Sequence, residues 1–154
     1  MYGKGNVGEQ GCDDTEYQTQ FALWCLCGAP LMLGCDLREM SPATRELVTN
    51  SKLLRIDQDL ECRPPMVLSW GEDRFALFKI LSDGEFALGF FNMGERTAKV
   101  PVYTDQIGIP ISTGYGFRLT DVFTGEEKPF QKEFLMEEIP AHGCKVFMAR
   151  LSKS

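Results

Sequence analysis

The chain has 154 residues, of which 44% are apolar and 25% charged, a composition typical of a globular protein rather than a disordered one. Its formal net charge of −6 at pH 7 argues against nucleic acid as a partner, because phosphate binding requires clustered Lys and Arg. No segment approaches the roughly 18 apolar residues of a membrane span, and the first residues lack the apolar core of a signal peptide, so we expect no membrane partner and a cytoplasmic location.

Residues 1–12 are rich in glycine and contain the spacing Gly3-x-Gly5-x-x-Gly8, which resembles a dinucleotide-binding loop. That motif follows a strand and opens a helix at its last glycine. Here no strand pattern precedes Gly3, and the next helix signal comes several residues after Gly8. We therefore predict a flexible loop and no nucleotide cofactor.

A helix is predicted to begin after Asp13, because Glu16 stands three residues later, as a capping box requires. Apolar residues then recur at spacings of three and four, including Phe21 and Trp24, so one face of the helix is expected to be core and Trp24 to be buried. Gly28 favours a left-handed stop, and Pro30 cannot continue the helix.

The next run, Leu31-Met32-Leu33, is too short for a helix and shows no polar alternation, which predicts a strand covered on both faces. Asp36 at its carboxyl end lies where α/β folds place functional groups. It is a candidate binding carboxylate, although it could equally cap the following turn or pair with Arg38.

A second helix is predicted from Ser41 as N-cap and Pro42 at the first helical position to Asn50, with one further turn over residues 51–54. The paired prolines of Arg63-Pro64-Pro65 then disfavour helix and stiffen the chain. We place a domain boundary there, between residues 1–62 and residues 63–154.

Beyond the boundary the pattern changes to short apolar runs. Residues 75–81 and 86–91 flank Ser82-Asp83-Gly84-Glu85, whose Asp-Gly pair is a strong hairpin signal. Further strands are predicted near 97–103, 116–123, 130–139 and 144–151, with a turn at 124–127. Seven or eight short strands predict an all-β antiparallel sandwich.

The six cysteines form no Cys-x-x-Cys pair, and Cys25 and Cys27 fall on nearly opposite sides of the predicted helix. We expect no metal site, and most of these cysteines to be small core residues with reduced thiols. His142, the single histidine, precedes Cys144 in a predicted turn, and the pair lacks the arrangement of a nucleophile and its base.

The chain as a whole resembles the C-terminal part of a glycoside hydrolase family 27 α-galactosidase (melibiase). The resemblance is carried by segments in the family's order and at about its spacing: Glu16-Tyr17, Phe21-Ala22-Leu23-Trp24, Ala29-Pro30-Leu31-Met32-Leu33-Gly34, Asp36-Leu37-Arg38, Met40-Ser41, Thr49-Asn50, Ile56, Gln58-Asp59 and Pro140-Ala141-His142-Gly143-Cys144. Asp57 departs from the family's Asn, and Leu60-Glu61-Cys62 replaces the Pro-Leu-Gly that commonly follows.

The resemblance implies an α/β remnant, the last helices and strand of a (β/α)8 barrel, followed by a Greek-key-like β-sandwich. It implies retaining hydrolysis of terminal α-galactosides by two carboxylates. In the family those carboxylates lie on earlier barrel strands, and no segment here matches either motif, so we expect no catalytic residue in this chain. The glycine-rich loop would lie on the rim of the sugar pocket, with Lys4 and Asn6 as substrate-binding candidates.

Two other interpretations of the β domain stay open. As a carbohydrate-binding module it would present exposed aromatic side chains, whereas as a structural accessory domain it would only pack against the barrel. The missing barrel strands would leave an apolar surface, and we expect that surface to be mobile, to pack onto the sandwich, or to join chains into a homo-oligomer.

Overall fold

The computed structural model describes residues 11–153. Three helices come first, and eight strands follow. The helices are α1 (Asp14–Cys27), α2 (Pro42–Val48) and α3 (Ser51–Asp57). The strands are β1 (Met66–Trp70), β2 (Arg74–Ile80), β3 (Glu85–Asn92), β4 (Ala98–Tyr103), β5 (Tyr115–Asp121), β6 (Glu127–Gln131), β7 (Phe134–Ile139) and β8 (Cys144–Lys153).

The first helix has the ends that its sequence predicts. The Asp13 carboxylate accepts a hydrogen bond from the Glu16 amide at 2.8 Å, and the Glu16 carboxylate accepts one from the Asp13 amide at 2.9 Å. This reciprocal capping box occupies two amides that the helix itself leaves without partners. At the other end Gly28 adopts φ +64°, so the predicted left-handed stop is confirmed.

The second predicted helix is divided in two at Asn50. α2 begins after Ser41, whose hydroxyl accepts a hydrogen bond from the Thr44 amide at 3.1 Å. Asn50 then caps α3 by accepting from the amides of Lys52 and Leu53, each at 3.0 Å. An Asn that caps a new helix thus stands where the sequence predicts the end of one helix, and the further turn predicted over residues 51–54 belongs to α3.

The predicted hairpin is confirmed. β2 and β3 pair antiparallel from Arg74 opposite Asn92 to Ile80 opposite Phe86. In the connecting turn both Asp83 (φ +62°) and Gly84 (φ +71°) have positive φ, the conformation that makes Asp-Gly a favoured hairpin turn.

All strand pairs among residues 11–153 are antiparallel. One sheet has six strands in the order β1-β2-β3-β8-β5-β6, and the other consists of β4 and β7. The six-stranded sheet is therefore the middle layer, with helices on one face and the two-stranded sheet on the other. The single strand predicted near 130–139 is two strands in the structure, β6 and β7. The sequence analysis does not predict β1.

Alternating residues of the middle sheet supply two separate cores. On the helix side Leu77, Ala87 and Val146 pack with buried side chains of α1 and α3. On the other side Phe78, Phe90 and their neighbours pack with β4 and β7. Because successive side chains of a strand point to opposite faces, each central strand contributes to both cores.

The predicted strand at Leu31-Met32-Leu33 is absent. Residues 29–34 have no regular secondary structure, and 75% of the Met32 surface is exposed. A strand requires a hydrogen-bonded neighbour, and every strand among residues 11–153 pairs within the two antiparallel sheets. The apolar run therefore remains an irregular segment, of which Leu31 packs against the helix-side core.

Two predictions of burial are wrong. Trp24 is 37% exposed because the buried arc of α1 runs over Phe21, Ala22, Cys25 and Leu26, and Trp24 lies beyond its edge. Most of the cysteines are also outside the core. Cys25 and Cys144 are buried and Cys35 is half-buried, whereas the others are exposed, since they stand in loops or on the outer face of α1: Cys12, Cys27 and Cys62. All six are free thiols.

Candidate functional site

The start of α1, the loop after residue 33 and the start of α2 enclose a cleft of about 560 Å³, here called the Asp36 cleft. Its volume lies in the range of small-molecule sites. It is lined by small, polar and acidic residues: Gly11, Cys12, Tyr17, Gly34, Cys35, Asp36, Glu39, Met40, Ser41 and Thr44.

Asp36 stabilises the conformation of the loop that lines the cleft. Its carboxylate caps a short 3-10 helix, Leu37–Glu39, by accepting from the Arg38 amide at 2.9 Å. The same carboxylate accepts from the Arg38 guanidinium at 3.0 Å and 2.6 Å. The side-chain hydrogen bonds from Arg38 lower the pKa of Asp36 below its ordinary value. Both structural roles proposed for Asp36 from the sequence are therefore present.

This arrangement limits the chemistry of the cleft. A retaining glycosidase needs one carboxyl group that stays protonated as the acid and a second one as nucleophile. Asp36 is ionised at neutral pH and is bound by Arg38, so it does not suit the acid role. Together with Glu39, it makes the cleft an acceptor-rich surface suited to hydroxyl groups.

The predicted substrate-binding residues Lys4 and Asn6 lie outside the described residues. Gly11 and Cys12, the nearest described residues in sequence, line the Asp36 cleft. Sequence reasoning did not include Tyr17, Glu39 or Thr44 among the candidates. No local signal marks them, because the cleft forms only where three separate segments meet.

His142 and Cys144 do not form a nucleophile and base. The His142 ring contacts Glu95 (Nε2 to Oε2, 3.2 Å) and Glu16 (Nδ1 to Oε1, 3.6 Å), and the hydrogen bond to Glu95 raises the pKa of His142. Cys144 is buried, which raises the pKa of its thiol to about 12. It therefore stays protonated and unreactive at neutral pH.

A buried carboxylate that the sequence did not single out joins α3 to the sheet. Asp59 is 1% exposed and accepts from Arg55 at 2.5 Å, from the Ser82 amide at 2.9 Å and from the Ser82 hydroxyl at 2.8 Å. Burial by itself would raise the pKa of Asp59, but these hydrogen bonds outweigh it, and the pKa is lowered. Asp59 thus has a structural role as an ionised side chain.

Across residues 11–153 no group of three or more His, Cys, Asp or Glu side chains could hold a metal ion. In the same range no helix is long and apolar enough to cross a membrane.

Two sequence models of one family match the chain in order. The model described as alpha galactosidase A matches residues 4–59, and the model described as alpha galactosidase C-terminal beta sandwich domain matches residues 76–149. The chain belongs to glycoside hydrolase family 27, the α-galactosidase family. The α-galactosidase of Coffea arabica is 30% identical over 143 residues, which is 92% of this chain and 37% of that protein.

Solved structures of the family show the same fold. The α-galactosidase I of Mortierella vinacea has a TM-score of 0.82 at 20% identity, over 97% of this chain and 39% of that one. The β-L-arabinopyranosidase of Geobacillus stearothermophilus has a TM-score of 0.82 at 21% identity, over 94% and 33%. The helices and β-sandwich described above therefore correspond to the last part of a (β/α)8 fold and its C-terminal domain. This family 27 chain spans about a third of the length of the curated relatives it matches.

Proposed function

We propose that this family 27 chain forms the C-terminal part of a retaining α-galactosidase, whose catalytic carboxylates lie outside it. The observation that carries the proposal is the ordered match of two family models over residues 4–59 and 76–149. The chain spans about a third of the length of its relatives, which supports placing the catalytic carboxylates outside it.

The Asp36 cleft supports a contribution to sugar binding rather than to bond cleavage. It supplies hydroxyl and carboxylate oxygens from Tyr17, Glu39 and Thr44, which are suitable partners for sugar hydroxyls. Lys4 and Asn6 belong to the segment immediately before the Gly11 and Cys12 wall. We assign Lys4 and Asn6 to substrate binding, as the family resemblance implies.

An activity assay tests whether the catalytic carboxylates lie outside this chain. The chain alone should not hydrolyse an aryl α-galactoside above a buffer control. Turnover that survives repurification would contradict the proposal.

A chimera tests the assigned role directly. In it, this chain replaces the matching part of the Coffea arabica α-galactosidase, and we expect turnover of the aryl α-galactoside. Within that chimera Lys4→Ala should raise KM for the galactoside, whereas Lys99→Ala, an exposed lysine on β4, should leave KM unchanged. A folded chimera without turnover would show that the chain does not complete such an enzyme.

An exposed apolar surface supports the same assignment. Met32 (75% exposed) and Leu37 (62%) lie in and after the irregular segment, and Trp24 and Leu33 are also exposed. We propose that the remaining barrel strands of a whole enzyme cover this surface. For the isolated chain, sedimentation equilibrium should report self-association that is weakened in Met32→Ser. A strictly monomeric chain at high concentration would show that the surface needs no cover.

A carbohydrate-binding role for the β domain is the second candidate. Trp70 on β1 is 74% exposed and packs against Phe75, with ring centroids 5.5 Å apart and the ring planes tilted by 32°. An exposed, supported aromatic face suits sugar stacking. Binding of galactose or an oligosaccharide by the isolated chain, abolished in Trp70→Ala and retained in Tyr115→Ala, would favour this candidate.

We also propose a reducing compartment for the protein. Three of its six free cysteines are exposed, which suits an environment where thiols stay reduced.

A further inference from the structure

A second cleft of about 520 Å³ lies between α3 and the helix-side face of the six-stranded sheet. We call it the Arg118 cleft, after the β5 residue on its floor. Five Lys and Arg residues line it and only two acidic residues, Glu85 and Glu127, although the Lys128 side chain is directed to Glu137 on β7. The chain as a whole has a net charge of −6, so this local excess of positive charge runs against the composition of the protein.

The floor of the cleft contains a like-charge pair. In the register of β5 and β8, Arg118 stands directly opposite Arg150, and on the other side of β8 Glu85 stands opposite Arg150. The three side chains thus form one row across three strands. Like charges that face each other across a strand pair are destabilising unless a counter-charge lies between them.

Glu85 neutralises only one member of that pair. The Arg150 guanidinium donates to the Glu85 carboxylate at 2.9 Å and 2.6 Å. Arg118 has no carboxylate within ion-pair distance among residues 11–153, and its one hydrogen bond there is a long one of 3.4 Å to the Ser152 hydroxyl. Its guanidinium therefore keeps most of its donors available in the cleft.

The other cations of the cleft also include some that have a carboxylate partner and one that does not. Arg55 is bound by Asp59, and Lys128 by Glu137. Lys52 donates to the main-chain carbonyl of Asp121 at 3.2 Å and has no carboxylate partner among the described residues. Two positive charges, those of Lys52 and Arg118, thus lack a counter-ion in a cleft large enough for a small molecule.

We propose that the Arg118 cleft binds an oxyanion, with Arg118 and Lys52 as its principal donors and Arg150 beside them. A planar guanidinium binds carboxylate, phosphate and sulfate oxygens in a bidentate manner, and a bound anion relieves the repulsion between Arg118 and Arg150. The shared ligand chemistry is a compact group with two or more anionic oxygens, supplied by free phosphate or by the carboxylate of an acidic sugar. This site is separate from the Asp36 cleft and does not depend on the proposed hydrolase activity.

Calorimetric titration of the chain at pH 7 and constant ionic strength tests the proposal. The probes are inorganic phosphate, D-galacturonate and, as the uncharged counterpart of galacturonate, D-galactose. We expect saturable binding of at least one anion, weakened about tenfold or more in Arg118→Gln, since hydrogen bonds to charged groups are among the strong ones. Arg96→Gln removes the same charge from an exposed arginine between β3 and β4, outside both clefts, and should leave the affinity unchanged.

The outcomes separate the sources of the anion. Tighter binding of galacturonate than of phosphate and galactose would assign the cleft to an acidic saccharide, and tighter binding of phosphate would assign it to a phosphate group. Equal affinity for galacturonate and galactose would overturn the proposal, as would anion binding that Arg118→Gln leaves intact or the absence of saturable binding by either anion. Because Arg118 is exposed and faces the like charge of Arg150, Arg118→Gln should unfold at a temperature no lower than that of the parent chain, which separates lost binding from lost folding.

Discussion

The Lys79 ammonium lies 3.0 Å from the main-chain carbonyl oxygen of Ile56, inside the junction between the helices and the sheet. It also lies 3.5 Å from the carbonyl oxygen of Cys25. Lys79 is 1% exposed, so a charge near the carboxyl end of β2 is buried beneath the last turns of α1 and α3. A cation at that position complements the negative ends of two helices at once.

Replacing Lys79 with Met should lower the free energy of unfolding by about 2 kcal/mol, because two buried carbonyl groups lose their charged donor. The pKa of Asp57, which burial raises and Lys79 lowers, should rise further. Urea denaturation at pH 7 measures the first effect, with the exposed Lys99→Met as control. Equal stability of Lys79→Met and the parent chain would show that the carbonyls find other partners.

Stability should fall in acid because of Asp59. Its folded-state pKa is lowered from an unfolded value of about 3.9, so its contribution is fully present above that value and is lost as the pH falls towards the folded pKa. Asp59→Asn should cost about 3 kcal/mol at pH 7, since Arg55 and Ser82 lose a buried, negatively charged acceptor, and should flatten the dependence below pH 5. Denaturation curves between pH 2 and 7 check both. A variant that keeps the full acid sensitivity would place its origin elsewhere.

Gly89 on β3 marks a close approach of α1 to the sheet. A β-carbon at Gly89 would overlap the Leu26 side chain and lie 2.7 Å from the Phe91 ring. We expect Gly89→Ala to destabilise the protein by about 1 to 3 kcal/mol, the usual cost of overpacking. Gly71→Ala, where the nearest atom is the flexible Arg74 side chain at 3.3 Å, is the matched control in thermal unfolding. The prediction fails if both variants unfold at the same temperature.

Limited proteolysis tests the proposed boundary at Arg63-Pro64-Pro65. Leu60 is 92% exposed and lies in the loop between α3 and β1, so chymotrypsin should cut there before it cuts the sandwich. Leu60→Gln should remove that early fragment. Early cleavage between Phe75 and Phe91 would show that the β domain is not the more resistant unit.

Hydrogen exchange should distinguish the two parts of the helix layer. Amides of residues 22–26 in α1 should exchange slowly, since Ala22, Cys25 and Leu26 pack against the sheet with no exposed surface. Amides of residues 31–40, which include the exposed Met32, should exchange faster than those of residues 86–91. Uniform protection across residues 22–40 of a monomer would mean that the irregular segment is held as firmly as the core.

Local signals predicted the local structure correctly. The capping box at Asp13 and Glu16, the stop at Gly28 and the Asp83-Gly84 hairpin each depend on residues within a few positions of one another. The strand at Leu31-Met32-Leu33 failed for the opposite reason, because its apolar run says nothing about which strand would pair with it.

Contacts between residues that are distant along the chain leave no such local signal in the sequence. β8 pairs with β3 and β5, so the centre of the sheet joins segments more than 20 residues apart along the chain. Lys79 stands in an apolar run and Asp59 at the end of a short helix, and only the packed structure brings the first under two helix ends and the second to Ser82. The linings of both clefts form in the same way.

Side chains of the six-stranded sheet alternate between the two cores, and this alternation limits which insertions and deletions the fold can accept. In β2, β3 and β8 neighbouring residues belong to opposite cores. One inserted or deleted residue within any of these strands would therefore move the side chains that follow it from each core to the opposite face of the sheet. Substitutions alter one core, whereas changes in length alter two. We therefore expect related chains to differ in length at the connections between strands and to keep the lengths of these three strands constant.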